Sequence, residues 1–162
     1  MFDATGSLVI DNGEDIMTTV GAILKDKGSA VLATSATQTV LAAVDEMCHQ
    51  RVGALLVLEG DLPRGVFSER DLMTRVILAR RDPATTTVAE VMTHDVVCIA
   101  PDVSTTEAMA IMTNRRCRHL PVVEACHVVG MVSIGDLVRA ASHEQEYEIQ
   151  LLRDYATGKY PG

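Results

Sequence analysis

Apolar and polar positions along this chain change rhythm in a fixed order. Short β-branched or apolar runs, VLAT from Val31 and VVCIA from Val96, predict strands. Each is followed by apolar residues at helical spacing: Val40, Val44 and Met47 in the first case, Ala108, Ile111 and Met112 in the second. Thr39 and Ser104 stand where N-caps belong, and Glu107 follows Ser104 at the capping-box position. GALLVLE with RGVFS, and HLPVVE with VVGMVS, then read as two hairpins. A second helix leaves each hairpin, through ERDLMTRVILARR and IGDLVRAASHEQEYEIQLLRDY. Both halves therefore spell β-α-β-β-α.

The correspondence extends to single residues. Ser68 and Ser133 lie 65 positions apart, and the same shift places Val31 on Val96, Met47 on Met112, Arg51 on Arg116, Leu55 on Leu120, Gly65 on Gly130 and Asp71 on Asp136. No gap is needed from Val31 onward, so loop lengths repeat along with residues, the mark of a duplicated structural unit. Short helices, TTVGAILKDK and TTTVAEVMT, act as lead-ins before each unit, and Gly28 is placed to end the first. The expected division is a flexible tail over 1–15, a first unit over 16–81, a linker over 82–86, a second unit over 87–145, and a helix extension and tail over 146–162. One unit alone would bury too little surface, so the two are expected to pack sheet to sheet. Tyr147, Leu151 and Leu152 on the long last helix suit either packing on its own domain or a dimer contact.

Composition narrows the partners. The 162 residues are 48% hydrophobic but only 3% aromatic, so the core must be aliphatic and a planar ligand would meet aliphatic side chains and backbone. A net charge of −8 speaks against nucleic acid, whose binding rests on Lys and Arg. The longest apolar run, ALLVL from Ala54, falls far short of the roughly 18 residues of a membrane helix. The acidic N-terminus lacks the basic start and apolar core of a signal peptide, and a cytoplasmic location is expected. Cys48, Cys98, Cys117 and Cys126 form no CxxC and read as reduced thiols; with His119 and His127 they match no usual zinc spacing.

The chemistry sits in the duplicated heptapeptides GVFSERD and GMVSIGD. Ser68 with Asp71, and Ser133 with Asp136, fit the [ST]xx[DE] capping box, and capping alone would explain a single occurrence. Yet each serine comes straight off a strand, so the following helix opens with unpaired N–H groups and its positive end, a natural anion site. An aspartate there can accept ribose hydroxyls, as acidic residues do in dinucleotide sites.

Two β-α-β-β-α units, each ending in G-h-h-S-x-x-D (h, apolar) after VGALLV or RHLPV, resemble a CBS-domain pair, the Bateman module, over about residues 16 to 145. The resemblance is to the small stand-alone bacterial and organellar members. It implies an α/β fold of two tandem units packed sheet to sheet, with clefts that take adenosine-containing ligands such as AMP, ADP, ATP, NAD(H) or S-adenosylmethionine. By position, Ser68, Asp71, Ser133 and Asp136 match the family's ribose and phosphate contacts, and Val66 and Met131 the apolar flank of adenine. Val52, Gly53 and Ala54, with Arg118, His119, Leu120 and Pro121, match the strand entry lining the cleft. Thr34 and Ile99 match the first strand, whose backbone reads adenine. Arg70, Arg118 and His119 have no basic counterpart in the other unit and are the expected phosphate contacts; Arg70 on a solvated helix and His119 in a core remain open alternatives. Arg51 and Arg116 recur in both units as helix-end residues and are set aside.

These features lead to a regulatory adenine-nucleotide module, with AMP or NAD(H) as ligand and few enough basic residues to favour one or two phosphates over three. It is expected to sense energy or redox state and to act on an unidentified protein partner through dimer or interdomain rearrangement, as a homodimer. A structural dimerisation module with empty clefts, and an S-adenosylmethionine or ATP sensor, are the alternatives. No catalysis, catalytic cofactor, metal site, nucleic-acid or membrane partner is expected: a barrel of about 250 residues does not fit this length, and no GxSxG, HExxH or P-loop is present.

Overall fold

In the computed structural model, which describes residues 17–157, the repeat in the sequence becomes a repeat of backbone geometry. After α1 (Val20–Lys27) come β1 (Ala33–Ser35), α2 (Val40–Gln50), β2 (Ala54–Glu59) and β3 (Leu62–Ser68). Helix α3 (Glu69–Asp71) runs directly into a π-helical stretch, Leu72–Ile77. Then follow α4 (Val88–Val91), α5 (Thr105–Arg115), β4 (His119–Glu124), β5 (His127–Ser133) and α6 (Ile134–Ala156). The expected tail over 1–15, the chain end beyond 157, and the side chains of Tyr147 and Leu151 lie outside the described residues.

Thr39 and Ser104 cap α2 and α5 by accepting from Ala42 N and Glu107 N at 3.2 and 3.1 Å. Both helices end in a left-handed arginine, Arg51 at φ 56° and Arg116 at φ 53°. The hairpins β2–β3 and β4–β5 share one register, with an irregularity after Val57 in the first and after Val122 in the second. Parallel to β2, β1 pairs Thr34 with Val57. In the second half this strand shrinks to a single bridge, Ile99 with Val122, so VVCIA is not the predicted strand. Ile99 bonds Pro121 O and Val123 N on either side, but the residue two further on is Pro101, which has no N–H to extend the ladder. Its counterpart in the first half is Ala36.

The two halves stack sheet to sheet, with β3 against β5, and the lead-in helices are exchanged between them. Val20, Ile23 and Leu24 of α1 enter the core of the second half with Leu120, Val122, Val132 and Leu137. Val88, Val91 and Met92 complete the core of the first, around Val40, Leu55, Val57 and Phe67. Backbone bonds fix each helix in place: Val20 N to Val103 O at 2.8 Å, and Val88 N to Gln38 O at 2.8 Å. The repeated strand glycines make room for this exchange. A Cβ on Gly65 would stand 2.7 Å from Met92 Sδ, and one on Gly130 2.7 Å from both Leu24 methyl carbons. The strand faces that these glycines leave bare are thus filled by the chain's own lead-ins.

The lead-ins correspond as Thr19 with Thr87, Val20 with Val88 and Leu24 with Met92, each 68 positions apart rather than 65. The first therefore carries three additional residues, close to one helical turn, before its unit begins. That turn is present as Lys25, Asp26 and Lys27 at the end of α1, closed by Gly28 at φ 91°.

Candidate functional site

Both heptapeptides form their capping boxes. Asp71 Oδ2 accepts from Ser68 N and Ser68 Oγ at 2.9 and 2.8 Å. Asp136 Oδ2 accepts from Ser133 N at 2.9 Å, and Ser133 Oγ accepts from Asp136 N at 3.2 Å. The two aspartates part company at their remaining contacts. Asp71 is only 5% exposed, and its Oδ1 accepts a neutral donor, Thr93 Oγ1, at 3.1 Å. Asp136 holds a cation directly, Lys27 Nζ at 2.7 Å, whereas the cation beside Asp71, Arg75 Nη1, stands back at 3.6 Å.

Asp71 lies on the wall of a cleft of about 950 Å³ between the halves, lined by residues within 53–75 from one side, 93–97 from the segment after α4 and 112–134 from the other. Of the residues expected from sequence, Gly53, Val66, Ser68, Arg70, Asp71, Arg118, His119 and Pro121 meet here. Thr34, Val52, Ala54, Ile99, Leu120, Met131, Ser133 and Asp136 are not on its wall. Alternation along β4 explains part of this: Leu120 faces the core at 0% exposure, while His119 and Pro121 on either side face the cleft. Ala54 and Ile99 are likewise buried. Thr34 pairs through its backbone with Val57, and Val52 packs on the first core. Met131 and Ser133 are half-buried on β5, opposite Pro121 and His119.

Sequence reasoning missed part of the wall. Arg116, set aside as a helix-end residue, lines the cleft, as do Arg75, Thr93 and Arg115. The end of α5 and the left-handed turn at Arg116 that follows it supply this part of the wall. A usable signal was the difference between repeats, since Arg115 corresponds to Gln50. Arg75 is committed to structure: its Nη1 donates to Val91 O and Met92 O at 3.1 and 2.6 Å and lies 3.6 Å from Asp71 Oδ1. Among the described residues, Arg70, Arg115, Arg116 and Arg118 have no acidic partner. Four unpaired guanidinium groups in a chain of net charge −8 gather around one opening.

Burial pushes the His119 imidazole below its ordinary value, and the Arg118 guanidinium adds to this; Asp136 and Glu69 oppose it, while Lys27 adds to it. Burial also raises the Cys117 thiol in the cleft, so it stays protonated and unreactive at neutral pH. Burial pushes the Asp136 carboxyl up, but bonds from Lys27 and Ser133 outweigh it and its pKa lies below the ordinary range. Among the described residues no cluster of His, Cys, Asp and Glu is arranged to hold a metal ion, and no helix is long and apolar enough to cross a membrane.

A duplicated α/β half, exchanged lead-ins and a cleft across the joint define a paired-repeat module. The family model for the CBS domain matches residues 88–143. The chain is 36% identical over 152 residues to the CBS domain-containing protein CBSX3, mitochondrial, of Arabidopsis thaliana, covering 88% of this chain and 74% of that protein. It is 35% identical over 115 residues to the CBS domain-containing protein YhcV of Bacillus subtilis, covering 70% and 81%. A solved structure described as "a putative signal-transduction protein with CBS domains from Burkholderia ambifaria MC40-6" superimposes with a TM-score of 0.74 at 41% identity, covering 76% of this chain and 93% of that one. The chain belongs to the CBS domain-containing proteins, a family that typically serves in regulation.

Proposed function

We propose that the protein is a regulatory module that binds an adenine nucleotide in the cleft at Asp71 and reports its level to a protein partner. The observation that carries this reading is the set of four unpaired arginines beside a serine–aspartate pair. Ribose hydroxyls can replace the Thr93 hydroxyl on Asp71 without a change of charge, and phosphates can take the guanidinium groups. With Arg115 and Arg116 on the wall, ADP and ATP join AMP and NAD(H) as candidate ligands. The sulfonium of S-adenosylmethionine would sit among like charges and is disfavoured. A nucleotide touching both halves and the segment after α4 favours whichever arrangement closes the cleft, which is the differential affinity that regulation requires. Met73 and Val138, at equivalent positions and 58% and 52% exposed, offer an apolar face for a homodimer. The four free cysteines suit a reducing compartment, the cytoplasm or, as in the name of the plant relative, an organelle. The self-satisfied carboxylates favour a second reading, a structural dimerisation module that takes no ligand.

A thermal-shift panel of AMP, ADP, ATP, NADH and S-adenosylmethionine separates the two. A phosphate-bearing nucleotide at one hundred times its Kd should add about 2.7 kcal/mol of stability, with S-adenosylmethionine giving no shift. No shift from any of the five would leave the structural reading.

His119 gives this reading a pH dependence. In the free protein its ring resists protonation, whereas the unfolded chain protonates near the ordinary value of about 6.5. Stability is therefore expected to fall as pH drops through that value towards the lowered folded one. A phosphate beside the ring would raise its pKa, so binding takes up a proton and affinity for AMP rises as pH falls from 7.5 to 6, by at most about tenfold per pH unit for one linked proton. Calorimetry in two buffers of different ionisation enthalpy reads that proton, and His119→Gln should abolish it. No proton uptake in the unsubstituted protein would place His119 away from the phosphate.

A further inference from the structure

The two serine–aspartate pairs are alike in sequence and in their capping bonds, yet they meet different lead-in segments. After Val91, the last residue of α4, the backbone of Met92 becomes extended at ψ 158°. Thr93 then pairs with Val66 on β3 and turns its hydroxyl onto Asp71. Helix α1 has no such exit after Leu24. Its three additional residues continue the helix for another turn and bring Lys27 over Asp136, with Nζ 2.7 Å from Oδ2. The pair is largely withdrawn from solvent: the Asp136 side chain is 13% exposed and that of Lys27 33%.

We infer that Lys27 is a latch that keeps Asp136 from taking ligand, so that each chain loads only the cleft at Asp71. This rests on the nucleotide reading above and adds which of the two repeated pairs is usable. A ribose hydroxyl approaching Asp71 exchanges one neutral donor for another. At Asp136 it must displace an ammonium, trading an ion pair for a bond from a neutral hydroxyl and leaving Lys27 without its carboxylate. The latch is held from behind. Val20, Ile23 and Leu24 are anchored in the second core, and Val20 N and Gly21 N bond Val103 O and Pro101 O at 2.8 and 2.7 Å. The C-terminal end of α1 also favours a cation at position 27. Gly28 ends the helix at once, its N–H bonded to Leu24 O at 3.0 Å, so Lys27 is the last residue that the helix can place there.

The test is binding stoichiometry by calorimetry on the full chain, with AMP and ATP in separate titrations. Lys27→Met keeps an unbranched stem of similar reach at a partly exposed position and removes the charge. One site per chain in the unsubstituted protein, two in Lys27→Met, and one again in Lys27→Met/Asp136→Ala is the expected series. An unchanged count in Lys27→Met, or two sites already in the unsubstituted protein, would overturn the latch. No site in the unsubstituted protein but one in Lys27→Met, lost in the double variant, would uphold the latch while overturning the assignment of the Asp71 cleft.

Discussion

A chain shortened to begin at residue 29 is expected to lose the fold of its second half. The deletion takes Val20, Ile23 and Leu24, which are 0%, 8% and 6% exposed, out of the core they share with Ile99, Leu120, Val122, Val132 and Leu137. At about 1.5–3 kcal/mol for each buried aliphatic side chain, the loss is about 5–9 kcal/mol. That is comparable with the whole stability of an ordinary domain, about 5–15 kcal/mol. It also strips the N–H donors from Val103 O and Pro101 O. Hydrogen exchange resolved by residue should show β4 and β5 losing protection, while β2 and β3 keep theirs under α4. Leu24→Ala is the milder version, costing about 2–5 kcal/mol by denaturant titration. Undiminished protection of β4 and β5 in the shortened chain would mean that α1 is no part of the second half.

Asp71→Asn is expected to fold and to bind AMP at least about tenfold more weakly. The amide oxygen can still accept from Ser68 N, so the capping box survives in part. It cannot accept two ribose hydroxyls as a carboxylate does, and each lost charge-assisted bond is worth about 1.5–3 kcal/mol. Asp71→Ala adds a folding cost of about 1–3 kcal/mol, because the Ser68 and Thr93 donors lose their buried acceptor. The asparagine variant therefore decides the matter: a native melting temperature with weakened binding supports the role, and full affinity would reduce Asp71 to a helix cap. Calorimetry and thermal melting on the same samples give both quantities.

The duplication, the order of elements and the serine–aspartate boxes were legible in the sequence because each rests on local chemistry: apolar spacing, cap residues and strand glycines. The exchange of lead-ins was not. Val20, Ile23 and Leu24 define an apolar face, but periodicity states which side of a helix is buried and never which half covers it. The shortened first strand of the second half could have been doubted from Pro101 alone. The cleft was half legible. Arg70, Arg118 and His119 stood out as basic residues without counterparts, whereas Arg116 was discounted for recurring at position 51, although only one member of that pair turns towards the opening. Lys27 carried a fainter signal, the change in repeat spacing from 65 to 68 before the first unit. Three residues of helix became a contact with a carboxylate far along the chain.

The strand glycines have a consequence for synthesis. α1 is made first, but the surface it must cover, with Gly130 beneath Leu24, leaves the ribosome only about a hundred residues later. The first half is complete once Met92 emerges and can fold at once, while the apolar face of α1 waits unclaimed. Closing that long-range contact last should set the slowest folding step, and in the meantime chaperones have an exposed segment to hold.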